Sequence, residues 1–216
     1  MDDRWFELGK GRTLSGQTNS MLNQYWKREF GDLPPVAHLL RSSFSERWVR
    51  FHSLPESQRY PDNDGELETL FARHNSILSA LSGNETQLQL LTTTYSSNST
   101  HDSPDQLLVE TGVSCSFWFS VAMHEIELDQ DPNYWHIFRS TIRWTPNVLN
   151  DVLRLVANNQ IGNVMIVDPA KSWLYHPYDG GADVILKSEL ILKSELERDS
   201  LAYAFQAWLS RRPDGM

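Results

Sequence analysis

The stretch of sequence that decides the fold is Trp173-Leu-Tyr-His-Pro-Tyr-Asp-Gly-Gly-Ala-Asp-Val-Ile-Leu186. Its two arms, on either side of Asp179-Gly180, predict a pair of strands joined by a tight turn. Asp and Gly tolerate the positive φ of a type I′ turn, so we expect that turn type here. The arms also carry polar groups beside the turn, which are Tyr175, His176, Tyr178 and Asp183. The sequence leaves open whether this corner is a binding or catalytic platform or a well-satisfied structural hairpin.

Helical and strand patterns alternate along the rest of the chain. The clearest helix runs from Asp64 to Ser82, with Asn63 and Glu66 as a predicted capping pair and Gly83 at its end. Other helices are expected at 19–30, from Thr145-Pro146 onward and at about 194–209, and strands at 47–52, 87–96, 114–124, 134–144 and 163–167. Short turns between consecutive strands imply antiparallel pairing. We therefore predict an α+β fold, a single domain with a mainly antiparallel sheet flanked by at least four helices.

The domain organisation follows from the same patterns. Residues 1–18 are polar and have no clear period, so we expect an N-terminal arm or loop, followed by one α+β domain over 19–216. One short repeat stands out, because the string ILKSEL at 185–190 recurs at 191–196. Its second copy supplies Ser194 and Glu197 at capping-box spacing, which predicts that the last helix begins there.

The charge of the chain limits the classes of partner. The formal net charge of −9 argues against nucleic-acid binding, which requires a cationic surface. The same charge suits a protein that docks on a basic partner surface, although solubility alone would also explain it. The eight tryptophans favour an ordered core and contact surfaces.

Cysteine and histidine usage gives no indication of a metal or cofactor. The single cysteine, Cys115, excludes an internal disulfide, and its apolar surroundings predict a small buried side chain. None of the seven histidines forms an i,i+4 pair, so we predict no metal site and no cofactor. The N terminus lacks a secretory signal and no apolar run reaches the length of a membrane span. We therefore expect a cytoplasmic protein that does not bind membranes.

Three blocks of the sequence resemble a known family. They are 47–61 with 73–75, 153–156 with 163–164, and 173–186 with 198–199. These blocks, with their LPESxRYP and WLYHPYDGGxDVIL strings, are similar to a bacterial domain-of-unknown-function family numbered three-eight-eight-five. The resemblance runs from about residue 34 to the end, is poor over 84–145, and does not include the ILKSEL duplication. It implies no catalytic residues. Similar acidic proteins encoded beside Rhs-type polymorphic toxins often act as immunity proteins, which is an analogy of class.

The first candidate site is polar and forms if the loop after residue 52 meets the hairpin. It is either a catalytic site, with His176 or His52 as base and Asp183 as its orienting group, or a hydrogen-bonded network that fixes the loop. No nucleophile elbow, phosphate loop or HExxH motif accompanies it. His74 is either a core histidine that donates to a carbonyl or a proton-transfer group. The residues of this site are His52, Ser53, Glu56, Arg59, Tyr60, His74, Tyr175, His176, Tyr178, Asp179 and Asp183.

The second candidate site is the acidic segment between two predicted strands. It is either a solvated turn or a patch whose carboxylates pair with Lys and Arg of a protein partner, with aromatic residues as anchors. The predicted contacts are Glu125, Glu127, Asp129, Asp131, Tyr134 and Trp135.

These features give two hypotheses of function. The first is a cytoplasmic immunity protein, not an enzyme, that occludes the basic cleft of a cognate toxin domain such as an ADP-ribosyltransferase or a nuclease. The alternative is a small hydrolase or nucleotide-handling enzyme that uses the 52–60 loop and the 173–183 hairpin.

Overall fold

The structure is a computed structural model that describes residues 16–83, 86–101, 103–126, 132–186 and 191–210. The strands within these ranges are β1 Trp48–His52, β2 Gln87–Ser96, β3 Ser116–Ala122, β4 Tyr134–Arg143, β5 Met165–Asp168, β6 Trp173–Tyr178 and β7 Gly181–Ile185. They form one sheet in the order β1-β7-β6-β5-β2-β4-β3, and each neighbouring pair is antiparallel.

Helices cover both faces of this sheet. In the described ranges they are α1 Gly16–Phe30, α2 Ala37–Ser43, α3 Asp64–Ser82, α4 Gln106–Glu110, α5 Met123–Ile126, α6 Asn150–Ala157 and α7 Ile191–Ala204. Three short 3-10 turns lie at Ser45–Arg47, Pro55–Ser57 and Gln206–Trp208. The predicted α+β class, with an antiparallel sheet and at least four helices, is confirmed. None of the helices in the described ranges combines the length and apolar character needed to cross a bilayer.

The strands bury alternate residues in two separate apolar cores. Phe51, Tyr175 and Val184 lie in the core that also contains residues of α3 and α6. Leu174 and Ile185 lie in the other core, with residues of α1 and α2. Successive side chains of a strand point to opposite faces, so strands such as β6 and β7 contribute to both cores.

The ends of α3 follow their local sequence signals. The Asn63 side chain accepts a hydrogen bond from the Glu66 backbone N–H at 3.1 Å, and Gly83 ends the helix with φ 69°. The Glu66 carboxylate accepts from the backbone N–H of Asp62 at 2.7 Å, so the reciprocal bond lies one residue before the cap. This bond is the main reason that the pKa of Glu66 is lowered.

The helix predicted to open at Thr145-Pro146 begins later, at Asn150. Asn147 has φ 73° and its N–H donates to the Asn75 side chain at 2.7 Å, so the chain makes a turn before the helix. Val148, in this turn, is 47% exposed. The local Thr-Pro signal is therefore overridden by a contact with α3.

Other boundaries also differ from the predictions. Helix α1 begins at Gly16, inside the predicted arm, whereas residues 1–15 of that arm lie outside the described residues. Strand β3 gives way at Met123 to the helical turn α5. Helix α7 begins at Ile191, before the predicted cap at Ser194, and ends at Ala204. Cys115 is half-buried beside the core, and the Ser140 hydroxyl lies 3.3 Å from its sulfur.

The hairpin forms as predicted, but its turn is of a different type. Tyr178 pairs with Gly181, and neither Asp179 nor Gly180 has a positive φ, so the type I′ prediction is wrong. Tertiary contacts hold this turn. The carbonyl of Gly180 accepts from the Ser53 N–H at 3.2 Å, and the Asp179 carboxylate binds side chains of the loop after β1.

Candidate functional site

A pocket of about 630 Å³ lies on the face of the sheet that carries α2. Six residues of the predicted polar site line it, because the hairpin and the end of β1 lie side by side in the sheet: His52, Arg59, His176, Tyr178, Asp179 and Asp183. Further walls come from α2 and from the adjoining ends of β2 and β4. The pocket therefore combines elements that are far apart in the sequence.

A buried ion pair forms part of the lining. The Arg50 guanidinium binds both oxygens of Asp183, with Nε–Oδ1 at 2.7 Å and Nη2–Oδ2 at 2.9 Å. The guanidinium carbon also lies 4.7 Å from the ring centroid of Tyr178 and 5.2 Å from that of Trp48. A paired, bidentate geometry of this kind holds both charges in place. Asp183 is thus a partner of Arg50, and within the described ranges no hydrogen bond joins it to a histidine, as its predicted orienting role would require.

His176 is oriented by a backbone carbonyl instead. Its Nδ1 lies 2.7 Å from the Val164 oxygen. A carbonyl oxygen only accepts hydrogen bonds, so Nδ1 carries the hydrogen and Nε2 keeps its lone pair. Burial lowers the pKa of this imidazole, which keeps it neutral. No side chain or backbone group within the described ranges hydrogen-bonds to Nε2.

Two more polar groups of the pocket lack a protein partner in the described part of the chain. One is the Tyr178 hydroxyl, which stays protonated because burial raises its pKa. The other is the half-buried Arg41 guanidinium on α2, which makes no hydrogen bond or salt bridge there. Buried or half-buried polar groups are normally paired, so three open groups around one cavity indicate a binding site.

The rim is a loop fastened to the hairpin turn. Asp179 accepts from Arg59 Nε at 2.6 Å and from the Tyr60 hydroxyl at 2.9 Å, and this contact raises the pKa of Arg59. Glu56 and Ser57 have φ of 56° and 63°, a left-handed conformation that is uncommon for these residues. Strained loops of this kind cluster at functional sites.

The opposite wall is aromatic. Tyr95 and Trp135 meet edge to face, with ring centroids 4.9 Å apart and planes at 86°. His38 of α2 packs on Trp135 with centroids 6.1 Å apart. Trp135 was predicted as a partner contact, and the structure places it in the pocket. No local sequence motif indicated that Arg41, His38 and Tyr95 would line the pocket.

A second group of polar residues, made up of Ser53, His74 and Tyr175, lies on the other face of the sheet. Ser53 Oγ lies 2.8 Å from His74 Nε2, and His74 Nδ1 lies 2.6 Å from the Tyr175 hydroxyl. All three are buried, and burial lowers the pKa of His74 to about 3. The predicted polar site is therefore two sites. His74 is a core histidine, but it bonds to two hydroxyls and not to the carbonyl of the predicted core alternative.

The acidic segment is only partly within the described residues. Glu125 is exposed on α5, and Tyr134 begins β4. The predicted contacts Glu127, Asp129 and Asp131 lie outside the described residues. Across the described ranges, no three His, Cys, Asp or Glu side chains are grouped closely enough to hold a metal ion.

The family model for Domain of unknown function (DUF3885) matches residues 36–213. The chain therefore belongs to this family, and the resemblance drawn from the sequence blocks is confirmed. Searches of curated proteins and of solved structures give no match to this chain.

Proposed function

We propose that this protein binds a small molecule that carries both an aromatic ring and an anionic group, and that the pocket is its binding site. The observation that supports this most directly is a set of three polar groups that have no protein partner among the described residues, namely the Arg41 guanidinium, His176 Nε2 and the Tyr178 hydroxyl. A ligand that pairs with them removes the cost of leaving them unpaired beside apolar walls.

The charges of the pocket favour an anion. Asp183 neutralises Arg50, and Asp179 neutralises Arg59, so each of these pairs is already compensated. Arg41 is then a cation that has no paired carboxylate among the described residues, in a chain whose formal net charge is −9. Guanidinium groups bind phosphate and carboxylate through paired hydrogen bonds.

The shape and the aromatic wall favour a ring. The volume of about 630 Å³ falls within the range of small-molecule sites. Tyr95 and Trp135 give an aromatic surface on which a ligand ring can pack. A nucleoside monophosphate combines a ring of this size with a phosphate, which agrees with the nucleotide-handling alternative drawn from the sequence.

The test is a binding titration with the four common ribonucleoside 5′-monophosphates, with the nucleosides and inorganic phosphate as partial ligands. We expect Arg41→Gln to weaken binding of the monophosphates at least about tenfold. Arg154→Gln is the matched control, because Arg154 is a helical arginine paired with Asp151 outside the pocket. The proposal is wrong if no monophosphate binds. It is also wrong if Arg41→Gln and Arg154→Gln bind the monophosphate with equal affinity.

A second candidate is the immunity protein hypothesis, in which a cytoplasmic toxin inhibitor docks through its acidic surface. It is favoured by the exposed Glu125 and by the position of Trp135, since a protein seated on Tyr134 and Trp135 would also meet the pocket wall. Co-purification with the product of the adjacent gene tests it. Charge reversal at 125, 127, 129 and 131 should then weaken the complex, and undiminished affinity would remove this segment from the interface.

A further inference from the structure

The anionic group of the ligand can be specified further, and this step rests on the proposed function. We infer that His176 is a specificity-determining residue that selects a phosphomonoester over a carboxylate or a sulfate ester, because it requires a proton between its Nε2 atom and the bound anion.

The position of the lone pair follows from the backbone. Strand β6 places His176 in the pocket, and the Val164 carbonyl at 2.7 Å accepts the hydrogen of Nδ1. The ring cannot exchange its two nitrogens without breaking this bond. Nε2 is not enclosed by protein atoms, and it has no hydrogen-bond partner in the described part of the chain. It therefore presents an acceptor to any ligand that reaches Arg41.

Burial keeps this acceptor neutral before a ligand arrives, and the neighbouring charges act in both directions. Arg41 of α2 and Arg50 of β1 disfavour a further positive charge on the ring, whereas Asp183 of β7 favours it. Asp183 is held by two bonds from Arg50, so its charge is already compensated. Tyr178, the next residue on this face of β6, is a neutral hydroxyl. The more distant pocket groups are His38, His52, Arg59 and Asp179, and the last two form their own pair.

Arg41 and His176 make different demands on an anion. The guanidinium attracts any negative oxygen, but the lone pair of Nε2 repels an oxygen that carries no hydrogen. A phosphomonoester has a second pKa of about 6, so near neutral pH one of its oxygens can carry the missing proton at little cost. A carboxylate has a pKa of about 4, and a sulfate ester is a far weaker base, so neither carries that proton. The complex with a phosphomonoester should therefore take up a proton, shared between the phosphate and the imidazole.

Calorimetry can count this proton. Binding of a nucleoside 5′-monophosphate is measured at about pH 7 in buffers of different ionisation enthalpy, and we expect uptake of about half a proton or more. The nucleoside 5′-carboxylate and 5′-sulfate with the same base are the comparison ligands. We expect both to bind at least about tenfold more weakly.

The variant His176→Gln separates selection from simple packing. A glutamine amide donates hydrogen bonds through its NH2 group, so it can bind any of the three anions without a proton. We expect this variant to bind the monophosphate without proton uptake and to lose the preference over the carboxylate. The control is His101→Gln, at an exposed histidine outside the pocket. It should keep both the uptake and the preference.

The outcomes separate this inference from the proposed function. If the monophosphate binds without proton uptake, or if the carboxylate binds equally well, His176 does not select the anion although the pocket still binds it. If neither ligand binds, the proposed function fails and this inference fails with it. The wild-type calorimetry decides between these results even if His176→Gln does not fold.

Discussion

Neighbouring residues of strand β6 belong to two different kinds of site. Tyr175 lies on one face of the sheet, where its hydroxyl and both nitrogens of His74 form a chain that ends at Ser53. His176 lies on the other face, where Nδ1 is bonded and Nε2 is open to a pocket. The two faces use the same residue types, histidine and tyrosine, although His74 and Tyr175 are buried whereas His176 and Tyr178 are half-buried.

The difference lies in how many hydrogen-bonding groups are satisfied. On the Tyr175 face, both nitrogens of the buried imidazole have partners, so the network can stabilise the fold and has no group left to bind a ligand. On the His176 face, His176 and Tyr178 each keep one polar group without a hydrogen-bond partner in the described ranges. Residue type alone therefore does not distinguish the two faces. The number of polar groups without a hydrogen-bond partner does.

The largest effect should come from the backbone contact on which both faces depend. A Cβ atom at Gly181 would lie 2.1 Å from the carbonyl oxygen of Phe51, so strands β1 and β7 could not pair as they do. We expect Gly181→Ala to lower the free energy of unfolding by about 3 kcal/mol or more, measured by urea denaturation. Gly180→Ala is the control, because its Cβ would meet only side chains, and the nearest atom would be in the Tyr178 ring at 3.3 Å. Equal losses in the two variants would contradict this account.

Acid should destabilise the protein through the face of the sheet that carries Tyr175 and His74. Burial lowers the pKa of His74 to about 3, whereas an unfolded histidine has a pKa of about 6.5. Between these values the unfolded chain binds more protons, so the free energy of unfolding falls as the pH drops below about 6.5. The loss should be roughly 2 kcal/mol at about pH 5.

The variant His74→Gln tests the source of this acid sensitivity. It should make the pH dependence of the unfolding free energy shallower by about one proton. An unchanged slope in His74→Gln would assign the effect to other groups.

A matched pair of hydroxyl deletions compares the faces directly. Tyr175→Phe leaves the buried Nδ1 of His74 without its partner, and we expect it to cost about 1.5 kcal/mol of unfolding free energy. Tyr178→Phe removes a hydroxyl that has no protein partner in the described ranges, so its cost should stay within about 0.5 kcal/mol. Ligand affinity should change in the opposite order. A large stability loss in Tyr178→Phe would show that its hydroxyl is structural.

The smallest effect on stability should come from the rim. Asp179→Asn weakens the contact with Arg59, whose side chain is 66% exposed, so the loss should be under about 1 kcal/mol. The control is Asp151→Asn, which weakens the exposed pair with Arg154 away from the pocket. Only the rim variant should change ligand affinity, as measured by titration. If both variants bind the ligand as the wild type does, the rim contact has no part in binding.

The elements that the sequence predicts well are those with local signals. Helix α3 follows its period and its cap at Asn63, and the hairpin follows its strand pattern and its Asp-Gly turn. The α6 boundary was missed because Asn75 bonds to Asn147, a contact between residues far apart in the chain. The same holds for the conformation of the turn at 179–180, which is bound by the loop after β1.

The candidate site was predicted in part for the same reason. His176 and Asp183 were recognised because they flank a hairpin turn, and they are paired across it. That His74 lies on the other side of the sheet depends on the packing of α3, which the spacing of residues within a strand does not reveal. Arg41 and Trp135 reach the pocket from separate elements. No local pattern relates them to the hairpin.

The strand order also has a consequence for how the protein is made. Trp48 of β1 pairs with Ile185 of β7, and the strands that lie between them in the chain are synthesised first. A ribosome adds about 5–20 residues per second, so β1 waits on the order of ten seconds for its partner. During that interval Arg50 has no Asp183 to bind. The emerging chain therefore holds one wall of the pocket before the other exists, and a ligand can assist folding only after translation has passed the hairpin.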